Sequence, residues 1–145
     1  MKEIIREILS EADEALVVKA IAEAENMTSG EIRIHLCAKT GQDVMKEAER
    51  QFHRLGMDST EQRNGVLIYV AVQSRSFAII GDRGIHEKVP DGFWESTRDA
   101  MSKAFKEGRF AAGLIAGVLE AGKELKEHFP IQKDDQNELS NEISY

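Results

Sequence analysis

Oxygen-bearing side chains are the main chemical resource of this sequence. Glu31, Glu61, Asn64, Asp82 and Asp91 fall in or beside stretches that read as loops and strand ends, with Asp58, Glu87 and Glu95 in reserve. Hard divalent cations such as calcium take roughly six to eight oxygens from carboxylates, side-chain amides, backbone carbonyls and water, often on loops with glycine turns. One chemistry open to these five residues is to hold a divalent metal of the calcium type. Gathered carboxylates repel one another, and a cation would relieve that repulsion while tying the 57–64 loop to the 81–92 loop. A plainer account exists for the same residues. With 26 acidic side chains, some gather at any edge by chance. Asp91 is also placed to cap a helix, and Glu31 to pair with Arg33 or Arg63.

Other reactive residues point to less. His35 lies on an expected strand, His53 on a helix, His86 in the loop after Asp82 and His128 near a helix end, without the spacing of a zinc motif. His86 borders the acidic edge, where holding its loop by a hydrogen bond is its simplest role. Cys37 is followed by Ala-Lys-Thr-Gly-Gln-Asp, so it opens no phosphate-binding cysteine loop. A GxSxG elbow, a P-loop and a DxDx(T/V) stretch are also missing. An acidic edge repels phosphate esters unless metal neutralises it. The residues thus favour a non-catalytic, metal-binding interaction or regulatory module.

These residues need elements to position them. Arg63 to Ile85 holds an apolar run from Gly65 to Val72, a polar break at 73–76, and a second apolar run from Phe77 to Ile80 before Gly81-Asp82-Arg83-Gly84. That pattern predicts a central two-strand hairpin, which brings Asn64 and Asp82 to one end of the sheet. Upstream, Ile32, Ile34 and Leu36 alternate with Glu31, Arg33 and His35, as in an outer strand with one face partly exposed. Between the two regions, Val44, Met45, Ala48, Phe52 and Leu55 form a helical stripe ending at Gly56. Strand, helix, strand is a βαβ unit, so residues 31–37 and 65–72 should run parallel. Glu31, the 61–64 loop and Asp82 then converge on one edge.

Flanking segments complete the expectation. Ile4, Ile5, Ile8 and Leu9 predict a short amphipathic N-terminal helix. Ser10 should cap a second helix carrying Leu16, Ala20, Ile21 and Ala24. Asp91 should cap a helix bearing Phe93, Trp94, Met101 and Phe105, and a long helix from Phe110 to Phe129 should pack closely through Gly113 and Gly117. A fourth strand could come from Val89 or from Ile131 onward. The whole predicts an α/β protein: one domain over residues 1–130, built on a small mixed sheet of about four strands, then a disordered polar tail over 131–145. A net charge of −7 argues against nucleic acid or an anionic membrane as partner. One cysteine, no signal-like leader and no apolar run of about 20 residues suit a monomeric cytoplasmic protein, with another protein as the possible partner.

Thr28-Ser29-Gly30-Glu31-Ile32, Arg63-Asn64-Gly65-Val66-Leu67-Ile68, Ile79-Ile80-Gly81-Asp82-Arg83-Gly84-Ile85-His86 and Gly113-Leu114-Ile115-Ala116-Gly117 together resemble the TPM domain family over about residues 10–128. The resemblance implies an αβα sandwich and calcium-type metal binding in loops at one end of the sheet. It also implies acid phosphatase activity in some members, which makes a metal-dependent phosphatase of the TPM type the alternative function. With no signal-like leader and no apolar run long enough for an anchor in the sequence, the chain is expected to depart from the family's common pattern of a signal peptide and a membrane anchor.

Overall fold

The computed structural model describes residues 2–41, 43–131 and 141–145. Three strands, β1 (Glu31–Cys37), β2 (Gly65–Ala71) and β3 (Ser76–Gly81), form a mixed sheet in the order β1-β2-β3. β2 is buried along its whole length because it is apolar on both pleat faces, and it takes the centre. β1 pairs with it in parallel, with Glu31 opposite Gly65. β3 returns antiparallel, with Gly81 opposite Val66. The hairpin and the βαβ unit therefore stand as the sequence predicts, although β3 is an edge strand.

Helices cover both faces. α3 (Val44–Arg54) lies on one, where Ala48 and Phe52 meet Leu67, Tyr69 and Ala78. Its start is fixed by Asp43, whose carboxylate accepts from the Met45 and Lys46 amides. The other face carries the larger core: α2 (Glu11–Glu25), α5 (Glu95–Lys106) and α6 (Phe110–Leu125) pack over Ile32, Ile34, Val66 and Ile68, with Ile5 and Leu9 of the α1 region (α1, Lys2–Arg6) closing one margin. This is the three-layer αβα sandwich. Ser10 caps α2 through the Asp13 amide, as its spacing predicts.

Several expectations need correction. Val17, not Leu16, completes the buried stripe of α2, and Leu16 is 55% exposed. Asp91 does not cap α5: Gly92, at φ +78°, turns the chain first, and the helix starts at Glu95. β1 is more buried than its alternation suggests, with Glu31 and His35 both under cover. No strand forms at Val89, and Pro130 makes only an isolated bridge to Thr28. The outer edge of β1 is met instead by Asn141–Tyr145, placed by the sequence in a disordered tail. Ser144 donates to the Ile34 carbonyl and accepts from the Leu36 amide, while Ile143 enters the core. The aliphatic Ile143 and the open strand edge both hold this segment, with Ser144 Oγ bonded to His35 and Tyr145 to Glu14. The remainder of the expected tail, 132–140, lies outside the described residues.

Candidate functional site

Register places the predicted corner. Glu31 is opposite Gly65 on one side, and the Asp82 amide donates to the Gly65 carbonyl on the other at 2.9 Å. The starts of β1 and β2 and the end of β3 thus share one end of the sheet. Asn64 joins them: its carbonyl accepts from the Glu31 amide at 3.3 Å, its amide donates to Thr60 Oγ1, and its side-chain Nδ2 donates to the Ser29 carbonyl at 3.2 Å. Buried and bonded on three sides, Asn64 is a clamp between the two strand starts.

Asp82, 6% exposed, is held most firmly. Its Oδ1 accepts from the Arg83 amide at 2.7 Å, capping the short helix α4 (Arg83–His86). Both carboxylate oxygens also accept from Arg63, Oδ2 from Nε at 2.8 Å and Oδ1 from Nη2 at 3.1 Å. This bidentate pair is the strong geometry for a guanidinium and a carboxylate, and Asp82 in turn raises the Arg63 pKa above its ordinary value. Arg63 reaches it from a left-handed backbone, φ +51°, which a non-glycine residue adopts at some cost. The two turns also touch directly. The Gly84 amide donates to the Arg63 carbonyl at 2.9 Å, and a Cβ on Gly84 would overlap the Gln62 carbonyl oxygen. Only glycine permits that approach.

Glu31 has a neighbour that the sequence reading did not single out. Glu25, at the end of α2, accepts from the Ile32 amide at 3.0 Å, satisfying the outer edge of β1. Burial pushes its carboxyl up to about 7, the Ile32 amide pulls it back, and the Glu31 charge adds to the rise. No spacing rule marks Glu25, because the contact forms only once α2 lies beside β1.

Of the other candidates, Asp58 bears on this set by its charge, which adds to the rise in the Arg63 pKa. Glu61 is exposed in the turn before Arg63. Asp58 is held by His53 Nδ1 at 2.8 Å, and that bond lowers its pKa below the ordinary carboxylate value. Asp91 and Glu95 line a separate cleft of about 440 Å³ with Glu124, Glu127 and His128. Glu87 closes α4, and His86 is exposed on it. His35 stacks on Tyr69 and bonds Ser144 Oγ at 2.9 Å; burial, with Arg54 and Arg33 adding to it, pushes its pKa down to about 4. Burial likewise pushes the Cys37 thiol up, away from the reactive thiolate.

The donor set suits a hard cation in chemistry but not in arrangement. Among the described residues no three His, Cys, Asp or Glu side chains are grouped to hold a metal ion. A guanidinium already sits on Asp82. The Met57 carbonyl lies 2.8 Å from where a Gly65 Cβ would be, over the strand that separates Glu31 from Asp82. Arg63 occupies Asp82 and Asp91 lies in the separate cleft, so among the described residues the five candidates are not gathered at one point.

Comparison with known proteins bears on this geometry. The BA42 protein of the psychrophilic bacterium Bizionia argentinensis has the same fold, with a TM-score of 0.89 and 48% identity over 94% of each chain. The N-terminal domain of a protein from P. gingivalis matches with TM-score 0.68 and 21% identity over 84% of this chain and 79% of that one. An N-terminal domain from Corynebacterium glutamicum matches with TM-score 0.64 and 16% identity over 79% and 72%. At those identities the last two show the fold alone. No curated protein matches. Among the described residues no helix is long and apolar enough to cross a membrane. The model of the TPM domain matches residues 5–124, covering every element from the end of α1 to all but the last residue of α6, and the chain belongs to that family.

Proposed function

We propose that this TPM domain is a non-catalytic interaction module whose working surface is the corner formed by the 60–64 and 82–86 turns, and that a divalent cation of the calcium type regulates it by competing with Arg63 for Asp82. The observation that carries this reading is the Arg63–Asp82 pair. It is a bidentate contact made from a strained backbone position, and Asp58 brings a second negative charge to bear on the same guanidinium. Strain of this kind marks places where a second arrangement lies within reach. Releasing Arg63 would loosen both turns at once, because Gly84 and Arg63 share a backbone hydrogen bond. The surface offered to a partner protein would then change with cation level.

Calorimetry with calcium tests it on three proteins. The wild type should bind below about millimolar, the weak end for calcium modules. Arg63→Gln should bind more tightly, and Asp82→Asn should not bind. Equal affinity in the wild type and Arg63→Gln would refute the competition, and no binding by either would end the metal role. The phosphatase alternative parts from this reading in one assay. Hydrolysis of p-nitrophenyl phosphate that needs metal and disappears in Asp82→Asn would make the corner an active site.

A further inference from the structure

The far end of the sheet is chemically unlike the Asp82 corner, about 20 Å away along β2. There the β2–β3 turn, the α5–α6 connection and Ile8 enclose a cleft of about 630 Å³. That volume lies in the range of small-molecule sites. Its apolar wall is formed by Ile8, Val72, Phe77, Phe105 and Phe110. Phe77 meets Phe105 edge-on at 5.6 Å, and Phe105 stacks on Phe110 at 5.3 Å, so the three rings make one continuous surface. All three rings are only partly buried, and Ile8 is 42% exposed. The core leaves this surface uncovered.

The cleft also carries the wrong charge for this protein. Arg75 and Lys106 line it, no acidic side chain does, and neither cation makes a salt bridge among the described residues. In a chain of net charge −7 these are cations left available. Lys106 also opposes the dipole at the end of α5. Arg75 has no such local reason. It stands in the hairpin turn at φ +53°, where glycine or asparagine would be unstrained.

We propose that this cleft binds a free amphipathic carboxylate, a medium-chain acyl acid, with its tail against the phenylalanine wall and its carboxylate between Arg75 and Lys106. Charge complementarity selects an anion, the aromatic and aliphatic wall selects an alkyl chain, and the volume limits its length. The site owes nothing to the Asp82 corner or to metal.

Octanoate, decanoate and dodecanoate, each below its micelle concentration, should be titrated into the full chain and followed by amide NMR shifts and calorimetry. Shifts should concentrate at Ile8, residues 70–77 and residues 102–110, and affinity should rise roughly fourfold per added methylene. Arg75→Gly removes the guanidinium and relieves the backbone, so its thermal midpoint should hold or rise while decanoate affinity falls about tenfold. Lys106→Gln should weaken binding similarly, and decanol should bind at least tenfold more weakly than decanoate. Unchanged affinity in both variants, or decanol binding as well as decanoate, would overturn the proposal. So would shifts scattered over the surface. Binding to phosphatidylglycerol vesicles through these residues, with no response to the free acids, would assign the cleft to a lipid surface and overturn it too.

Discussion

Asp82 accepts from three donors while lying under cover, so its environment is set by neighbours that cannot be moved singly. Gly84 is the tightest of them. A methyl group there meets backbone carbonyls, which cannot rotate away, so Gly84→Ala should cost about 3 kcal/mol by denaturant unfolding and speed amide exchange in residues 60–64. Two further residues make opposite demands on pH. Glu25 titrates near 4.5 when unfolded and near 7 when folded, so its contribution is whole below about 4.5 and is lost as pH rises to about 7. His35 goes from 6.5 to about 4 on folding, so its contribution is whole above about 6.5 and is lost as pH falls toward 4. Between those limits the two slopes oppose each other. Glu25→Gln, whose amide oxygen can still accept from Ile32, should show stability rising with pH relative to the wild type across 4.5–7. His35→Gln should show the reverse, both read from urea midpoints.

At the scale of elements, α5 and α6 are held together by what α6 lacks. A Cβ on Gly117 would stand 2.5 Å from Met101 Sδ, and one on Gly113 would overlap the Phe105 ring, so both glycines set the closeness of the pair. These obstacles are side chains able to rotate. Gly113→Ala and Gly117→Ala should therefore cost about 1–2 kcal/mol each, less than Gly84→Ala. The turn between the helices is closed by Gly108 at φ +76°, with the Arg109 amide reaching the Ala104 carbonyl at 2.9 Å. Much of this was legible beforehand, for a physical reason. The apolar run of 65–72 and the break at 73–76 dictate a hairpin, and a strand-helix-strand order dictates the parallel pair, so Glu31, Asn64 and Asp82 had to share an end. The Arg63 latch was not legible, since Arg33, Arg63 and Arg83 were all near, and the choice rests on a left-handed arginine that no propensity foretells. Asp91 was misread because a cap and a turn residue look alike until Gly92 bends the chain. Asn141–Tyr145 was missed because its value lies wholly in a partner more than a hundred residues away.

Across the whole molecule, the sheet separates an acidic end from one bearing unpaired cations and open aromatic rings, and its third side is closed by the chain terminus. Ile143 and two backbone hydrogen bonds secure that closure, with Tyr145 bonded to Glu14 on α2. Removing residues 141–145 should cost about 2–4 kcal/mol, one buried aliphatic side chain plus two hydrogen bonds. The Leu36 amide, which loses Ser144, should become the newly fast-exchanging site in β1, while the Ile32 amide stays protected by Glu25. An attachment fused after Tyr145 would have its root in the sheet and not on a free end. Tension or bulk applied there would act as leverage on β1 itself.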